Sequence, residues 1–242
     1  ADIGGGTSDF SLVRVGPERR ARSDRRDDIL ANHGVHVAGT DFDRRVELAT
    51  ILPLLGYGAM GPAERGATPR EVPSGIYFDL ATWHLINTVY APARVAELRQ
   101  MRGFYADERQ HRRLMTVLTE RLGHALAGAA EQAKIDAATA GRAFIDLSLV
   151  EAGLAAELDE ARAGQVIAAD CARIVEAARE TLRQAGIAAA AVDALYFTGG
   201  STGLQPLVEQ IAAVFPKAQR VRGDRFASVA QGLGEYARRS FG

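Results

Sequence analysis

The opening stretch Ala1-Asp2-Ile3-Gly4-Gly5-Gly6-Thr7-Ser8-Asp9-Phe10-Ser11 constrains this chain more than any other. Three consecutive glycines are too costly in backbone entropy for a helix or a strand centre, so they mark a turn. Phe10, Leu12, Val13 and Val15 then read as an outgoing strand, and the unit as a hairpin. Without a Cβ, such a turn lets a ligand reach the backbone, and successive N–H groups form an anion-binding concavity. Asp2 and Asp9 would repel a phosphate unless a cation lay between them. A hard divalent ion such as Mg²⁺ takes carboxylate and water oxygens beside phosphates. The stretch therefore predicts a phosphate loop with metal carboxylates; a glycine-rich hairpin turn with solvated acids is the alternative.

A second landmark, Ala194-Leu195-Tyr196-Phe197-Thr198-Gly199-Gly200-Ser201-Thr202, is an apolar strand running into another glycine turn. Leu204, Leu207, Val208 and Ile211 follow at helical spacing. Strand, Gly-Gly-Ser and helix together place bare N–H groups and a helix N-terminus at one point, suited to phosphate or ribose.

Between these landmarks the chain reads as follows. Glu18 to Asp28 is rich in arginine and acid and predicts a solvated, internally paired pair of strands, with an anion or partner patch as the alternative. Ile29 to Val37 alternates into a turn at Gly39, and His33 and His36 near it do not make a metal site. Asp41 is placed to cap a helix through Leu55. A glycine- and proline-rich crossing runs from Gly56 to Pro73. Phe78 to Tyr90 predicts a helix whose Trp83 and His84 belong in the core, with a ligand pocket as the alternative. Arg109 to Ala138 predicts one long helix with Leu114, Leu118, Leu122, Ala125, Ala129 and Ala133 as its apolar stripe. Glu131 and Lys134 then share a face. Arg142 to Leu158 predicts a hairpin, and Gln165 to Gln184 a helix that buries Cys171. A strand at Arg220-Val221, a turn at Gly223-Asp224 and a helix carrying Phe226, Val229, Leu233 and Tyr236 close the chain. Strands first, then helices alternating with single strands, indicate an α/β core interrupted by a mostly helical insertion.

With 242 residues the chain can bury a substantial core. A net charge of -1 gives no electrostatic case for nucleic acid or an anionic membrane. A single cysteine excludes an internal disulfide framework and points to a reducing cytoplasm. No apolar run approaches the roughly 20 residues needed to span a bilayer.

Asp2 to Asp9 resembles the second phosphate loop of heat-shock-70-type chaperones, in the actin/hexokinase/heat-shock-70 ATPase superfamily. Ala38-Gly39-Thr40-Asp41-Phe42-Asp43 resembles the turn that follows it in that family. Glu131-Gln132-Ala133-Lys134 resembles the adenosine-contacting helix, Thr198 to Thr202 the adenosine loop, and Phe226 to Leu233 the last connecting helix. Glu71 to Ser74 and Asp79 to His84 look most like the shorter YegD-like chaperones. The resemblance implies a ribonuclease-H-like (actin-like ATPase) lobe over residues 1–57 and 165–242, with residues 58–164 inserted. It implies that the chain corresponds to the second of two lobes, a first lobe with an earlier phosphate loop lying outside it. It further implies ATP or ADP with Mg²⁺, and ATP hydrolysis in the intact protein, with weak binding and little turnover by this chain alone. Gly4, Gly5, Gly6 and Thr7 would hold phosphates, and Asp2 and Asp9 would orient the Mg²⁺ water shell or the attacking water. Gly39 would approach phosphate or ribose. Gly199, Gly200, Ser201, Glu131 and Lys134 would contact the nucleoside, an ordinary helix ion pair being the alternative for the last two. Client proteins or co-chaperones are the partners it implies, in the cytoplasm, with no nucleic acid and no membrane. The family's arginines beside adenine are replaced here by Ile135 and Gly203. Two other readings stand beside this one: a sugar or small-molecule kinase of the same superfamily, and a non-catalytic protein-interaction module.

Overall fold

The structure, a computed structural model, describes residues 1–19, 24–63, 68–223 and 227–241. It is α/β and divides into two compact units: Ala1–Asp41 with Ala168–Gly242, and Phe42–Ile167. The divisions fall at 41/42 and 167/168, against the expected 57/58 and 164/165.

In chain order the elements are β1 (Asp2–Ile3), β2 (Ser8–Val13), β3 (Ile29–Val35), α1 (Gly39–Thr50), α2 (Gly75–Leu80), α3 (Pro92–Gln100), α4 (Glu108–Thr119) and α5 (Gly123–Ala140). After them come β4 (Arg142–Asp146), β5 (Ala155–Asp159), α6 (Glu160–Ala185), β6 (Ala194–Phe197), α7 (Gln205–Val214), β7 (Gln219–Arg222) and α8 (Ser228–Phe241).

The first unit is built on strands. β1, β2 and β3 form an antiparallel ladder, with Ile3 opposite Ser8 and Asp2 opposite Asp9. β6 and β7 pair in parallel, and a parallel bridge between Asp2 and Thr198 joins the two ladders. The resulting strand order is β3-β2-β1-β6-β7. Alternation decides which side chains are inside: Ile3, Phe10, Leu195 and Phe197 are buried, while Asp9, Ser11 and Tyr196 face outward. Ile174, Ala178 and Leu182 on α6 and Leu207, Val208 and Ile211 on α7 complete this core at helical spacing. Cys171 is buried on α6, and burial pushes its thiol up to about 11, so it is inert.

The second unit packs α2 to α5, the later part of α1 and the β4–β5 hairpin around one core, with Leu52, Leu55, Tyr77, Leu80, Leu114 and Leu126 fully buried. Gly56 sits at φ 109°, and a Cβ there would lie 2.5 Å from the Tyr105 ring. The Tyr77 hydroxyl closes that corner, at 2.9 Å from the Leu55 carbonyl and 2.8 Å from the Tyr105 hydroxyl.

Several expectations need correction. The charged stretch 18–28 is not a strand pair among its described residues but two 3₁₀ turns, Pro17–Arg19 and Arg26–Asp28. Arg19 and Arg25 both bond the buried Asp28 there, a local pairing that alternation could not reveal. α1 begins at Gly39, so Asp41 is not its cap; its carboxylate instead reaches back to the Ala38 N–H at 3.0 Å. The α-helix stops at Thr50, and Pro53 lies in the 3₁₀ turn Leu52–Leu55 that follows. Residues 78–90 do not form one helix; α2 ends at Leu80 and a 3₁₀ segment covers Ile86–Tyr90. Trp83 lies between them, 63% exposed, not in the core. The long helix breaks into α4 and α5 because Arg121 adopts φ 56° and Gly123 packs against Ile86 and the Tyr90 hydroxyl. That break rotates the stripe: α5 buries Leu126, Ala130, Ala133, Lys134 and Ala137, not Ala125 and Ala129. Val229, Leu233 and Tyr236 on α8 are exposed. Phe226 and Asp224 lie outside the described residues.

Candidate functional site

Hairpin geometry builds the first half of the site. The Gly4 N–H donates to the Thr7 carbonyl at 3.0 Å and closes the loop directly above the Ile3–Ser8 pair. The carbonyls of Gly4 and Gly5 are taken up internally. Gly4's accepts from the Gly39 N–H at 3.2 Å and the Ser201 hydroxyl at 2.8 Å; Gly5's accepts from the Thr40 N–H at 2.8 Å and the Thr40 hydroxyl at 2.9 Å. Among the described residues the N–H groups of Gly5, Gly6 and Thr7 have no hydrogen-bond partner, and all three residues are exposed. With the Gly4 and Gly5 acceptors used inside and three donors exposed, the loop offers N–H dipoles to solvent.

Nothing among the described residues requires the glycines at positions 5 and 6. Neither has positive φ, and a Cβ on either would meet no atom within 4 Å. The loop is bare toward solvent, where an incoming ligand would need the room. Gly199 is different: it holds φ 89°, and a Cβ there would lie 2.3 Å from the Ile3 carbonyl oxygen. Gly39 is buried, and its Cβ would lie 2.7 Å from Ser201 Oγ and 3.3 Å from the Gly4 oxygen. Segments from the start, the first quarter and the last fifth of the chain thus touch at Gly4, Gly39 and Ser201. Gly39 serves this junction through its missing side chain. Gly200 is exposed at the start of the 3₁₀ turn Gly200–Gly203, in which Thr202 Oγ1 donates to the Gly199 carbonyl at 2.7 Å.

Asp2 and Asp9 are direct cross-strand partners, so both carboxylates leave the same face of the sheet. Such partners have Cβ atoms roughly 5 Å apart, and like charges so placed destabilise the pair. Asp9 lies over Gly34 on β3, where a Cβ would come within 2.2 Å of its Oδ1; Asp2 Oδ1 lies against Gly199. Among the described residues no group of three or more His, Cys, Asp or Glu side chains is placed to hold a metal. Two carboxylates on one face leave the other positions of a bound ion to water and phosphate oxygens, which suits Mg²⁺.

The second unit holds Glu131 and Lys134, one turn apart on α5 but differently buried. Glu131 is exposed, whereas Lys134 is buried with its Nζ 2.6 Å from Asp43 Oδ1 on α1. Neither an exposed i,i+3 pair nor a free lysine is present. Burial raises the Asp43 carboxyl above its ordinary range against the pull of Lys134. One turn along α1, Glu47 is 1% exposed, and its Oε1 has no hydrogen-bond partner among the described residues. Burial, then the Asp43 charge, pushes Glu47 up to about 8.

Sequence reasoning missed Gly34, Thr40, Asp43 and Glu47. The spacing of Asp43 and Glu47, four apart on a helix, was the available signal for the last two. No protein-family model matches the chain. No helix among the described residues is long and apolar enough to cross a membrane.

Proposed function

We propose that this chain is the nucleotide-binding second lobe of a heat-shock-70-type ATPase, with a ribonuclease-H-like core that takes the phosphates of ATP or ADP together with Mg²⁺. One observation carries the reading: Gly4–Thr7, Gly39–Thr40 and Gly199–Ser201, distant in sequence, meet in one unit and leave the Gly5, Gly6 and Thr7 N–H groups free. The β3-β2-β1-β6-β7 order, antiparallel on one side and parallel on the other, supports a ribonuclease-H-like core.

In this reading Gly5, Gly6 and Thr7 donate backbone hydrogen bonds to phosphate oxygens, with the exposed Thr7 hydroxyl beside them. Asp2 and Asp9 accept hydrogen bonds from water and hold it on the phosphate side of the sheet. Bound Mg²⁺ would neutralise phosphate charge. Catalysis of this kind is mostly positioning and charge neutralisation. The intact protein is then an ATPase serving client proteins or co-chaperones in the cytoplasm, and this chain alone binds nucleotide weakly.

Titration of MgATP, MgADP and Mg-triphosphate into the chain, read as amide chemical-shift changes, tests the reading. Saturable shifts at Gly5, Gly6 and Thr7 that disappear in Gly6→Val and Asp9→Asn are expected. No shift at these amides at millimolar concentrations of all three would overturn it.

A further inference from the structure

Cross-strand register puts Asp2 and Asp9 opposite each other, yet their carboxylates turn apart. In the order β3-β2-β1-β6, Asp9 has β1 on one side and β3 on the other, and its Oδ1 lies over Gly34 on β3. Asp2 has β2 on one side, and its Oδ1 lies against Gly199, just past the Thr198 bridge on the other. Each aspartate thus places an oxygen in the space that a glycine leaves, on the side away from its partner.

The two glycines are not equivalent. At Gly199 the positive φ and the Ile3 carbonyl oxygen both demand glycine, whatever Asp2 does. Gly34 does not adopt positive φ, and it sits inside β3, where glycine weakens a strand and marks a close approach. A Cβ on Gly34 would come 2.2 Å from Asp9 Oδ1 and 3.2 Å from Asp9 Cγ, whereas its next neighbour, the Ser8 carbonyl oxygen, lies at 3.4 Å. Among the described residues, the Asp9 carboxyl is therefore the group that a side chain at position 34 would displace. Strand pairing explains the closeness. The Gly4 N–H donates to the Thr7 carbonyl, so the odd-numbered residues of β2 turn their N–H and C=O toward β1. Asp9 and Gly34 then form a non-hydrogen-bonded pair, in which Cα atoms stand about 4.5 Å apart and side chains are closest. Leaning away from Asp2 needs an empty position at 34.

We propose that Gly34 is a positioning residue of the metal-phosphate site, an assignment that rests on the nucleotide reading above for what the carboxylates hold. Its missing side chain lets the Asp9 carboxylate lie back over β3, so that Asp2 and Asp9 stand as two separated acceptors for the water around a bound cation. A side chain at 34 would push the Asp9 carboxylate toward Asp2 and close that separation. Groups that orient a metal-site carboxylate without touching the ion typically change affinity by about 10- to 100-fold when altered.

The test is Gly34→Ala, with Asn32→Ala as the control, since Asn32 is exposed on the same face of β3 but stands opposite Ser11. The Asp9 side-chain torsion is read from three-bond couplings of its Cγ to the backbone nitrogen and carbonyl carbon. It is expected to change rotamer in Gly34→Ala and to stay as in the parent in Asn32→Ala. Binding of Mg-triphosphate, followed at the Gly5, Gly6 and Thr7 amides, is expected to weaken about tenfold in Gly34→Ala, with binding of triphosphate alone unchanged. An unchanged Asp9 torsion, an unchanged Mg-triphosphate affinity, or equal weakening with and without Mg²⁺ would each overturn the proposal. Where Gly34→Ala lowers the unfolding midpoint, adding Asp9→Ala should restore it, because the carboxyl is what opposes the methyl group. An equal loss in both backgrounds would make the glycine a backbone requirement and overturn the positioning role. No response of the parent to Mg-triphosphate sinks the nucleotide reading instead, while the torsion still decides whether Gly34 orients Asp9.

Discussion

Glu47 offers the sharpest test of the second unit's energetics, because its carboxyl is buried near Asp43 and its Oε1 has no hydrogen-bond partner among the described residues. Burial raises it from 4.5 to about 8 in the folded chain. Between those two values the folded state keeps the Glu47 proton and the unfolded state has lost it. The unfolded state therefore binds fewer protons, and stability falls as pH rises. The contribution is fully present below pH 4.5, declines through pH 8 and is level above it. At about 1.4 kcal/mol for each pKa unit, the whole loss is about 5 kcal/mol, of which about 3 kcal/mol has gone by pH 7. Glu47→Gln keeps the shape and removes the titration. It should match the parent near pH 4.5, exceed it by about 3 kcal/mol at pH 7 and by about 5 kcal/mol above pH 8. Urea unfolding followed by Trp83, the sole tryptophan and in the same unit, measures this at each pH. A constant difference between variant and parent from pH 5 to pH 8.5 would refute the reasoning.

Other substitutions separate structural glycines from ligand-facing ones and weigh the buried ion pair. Gly199→Ala, forced at φ 89° and 2.3 Å from a carbonyl oxygen, should cost about 3 kcal/mol or more in chemical denaturation. Gly6→Ala has open space for its methyl group, so its unfolding midpoint should stay within about 0.5 kcal/mol of the parent while phosphate-dependent amide shifts weaken. Lys134→Met leaves Asp43 as an unpaired buried charge and should cost about 3–5 kcal/mol; adding Asp43→Leu should recover most of it, as a double-mutant cycle in urea would show. On the proposed reading, with Ile135 and Gly203 leaving no guanidinium at those two positions, ATP and GTP should bind within a few-fold of each other, about 1 kcal/mol, in the same shift titration.

What the sequence revealed followed from how far apart the deciding contacts lie. The glycine loop, the hairpin at Arg142–Asp159 and the strand–turn–helix at Ala194–Val214 are local, and their residues declare them. The break at Arg121 was hidden because the helical period runs unchanged through Leu118, Leu122 and Leu126. What stops the helix is Gly123 meeting Tyr90 and Ile86, residues more than thirty positions away. The same limit applied to Lys134. Its spacing from Glu131 was visible, but its partner Asp43 lies on a helix some ninety residues earlier. Trp83 misled because aromatic character argues for burial, whereas α2 stops at Leu80 and leaves the indole on a turn.

The two aspartates and the glycines make sense only when considered together. Asp2 and Asp9 are placed by β-sheet register on one face, with Asp9 lying over Gly34 on β3 and Asp2 against Gly199. The loop above them spends its carbonyls on Gly39, Thr40 and Ser201 and keeps its N–H groups outward. A phosphate accepts from the donors and repels the carboxylates, and a divalent cation does the reverse. A ligand carrying both, such as a metal-bound phosphate, is the one the proposed reading places here. A solvated hairpin turn gives no physical reason for Gly5 and Gly6 to be bare while Gly199 is held at φ 89° beside the same strand.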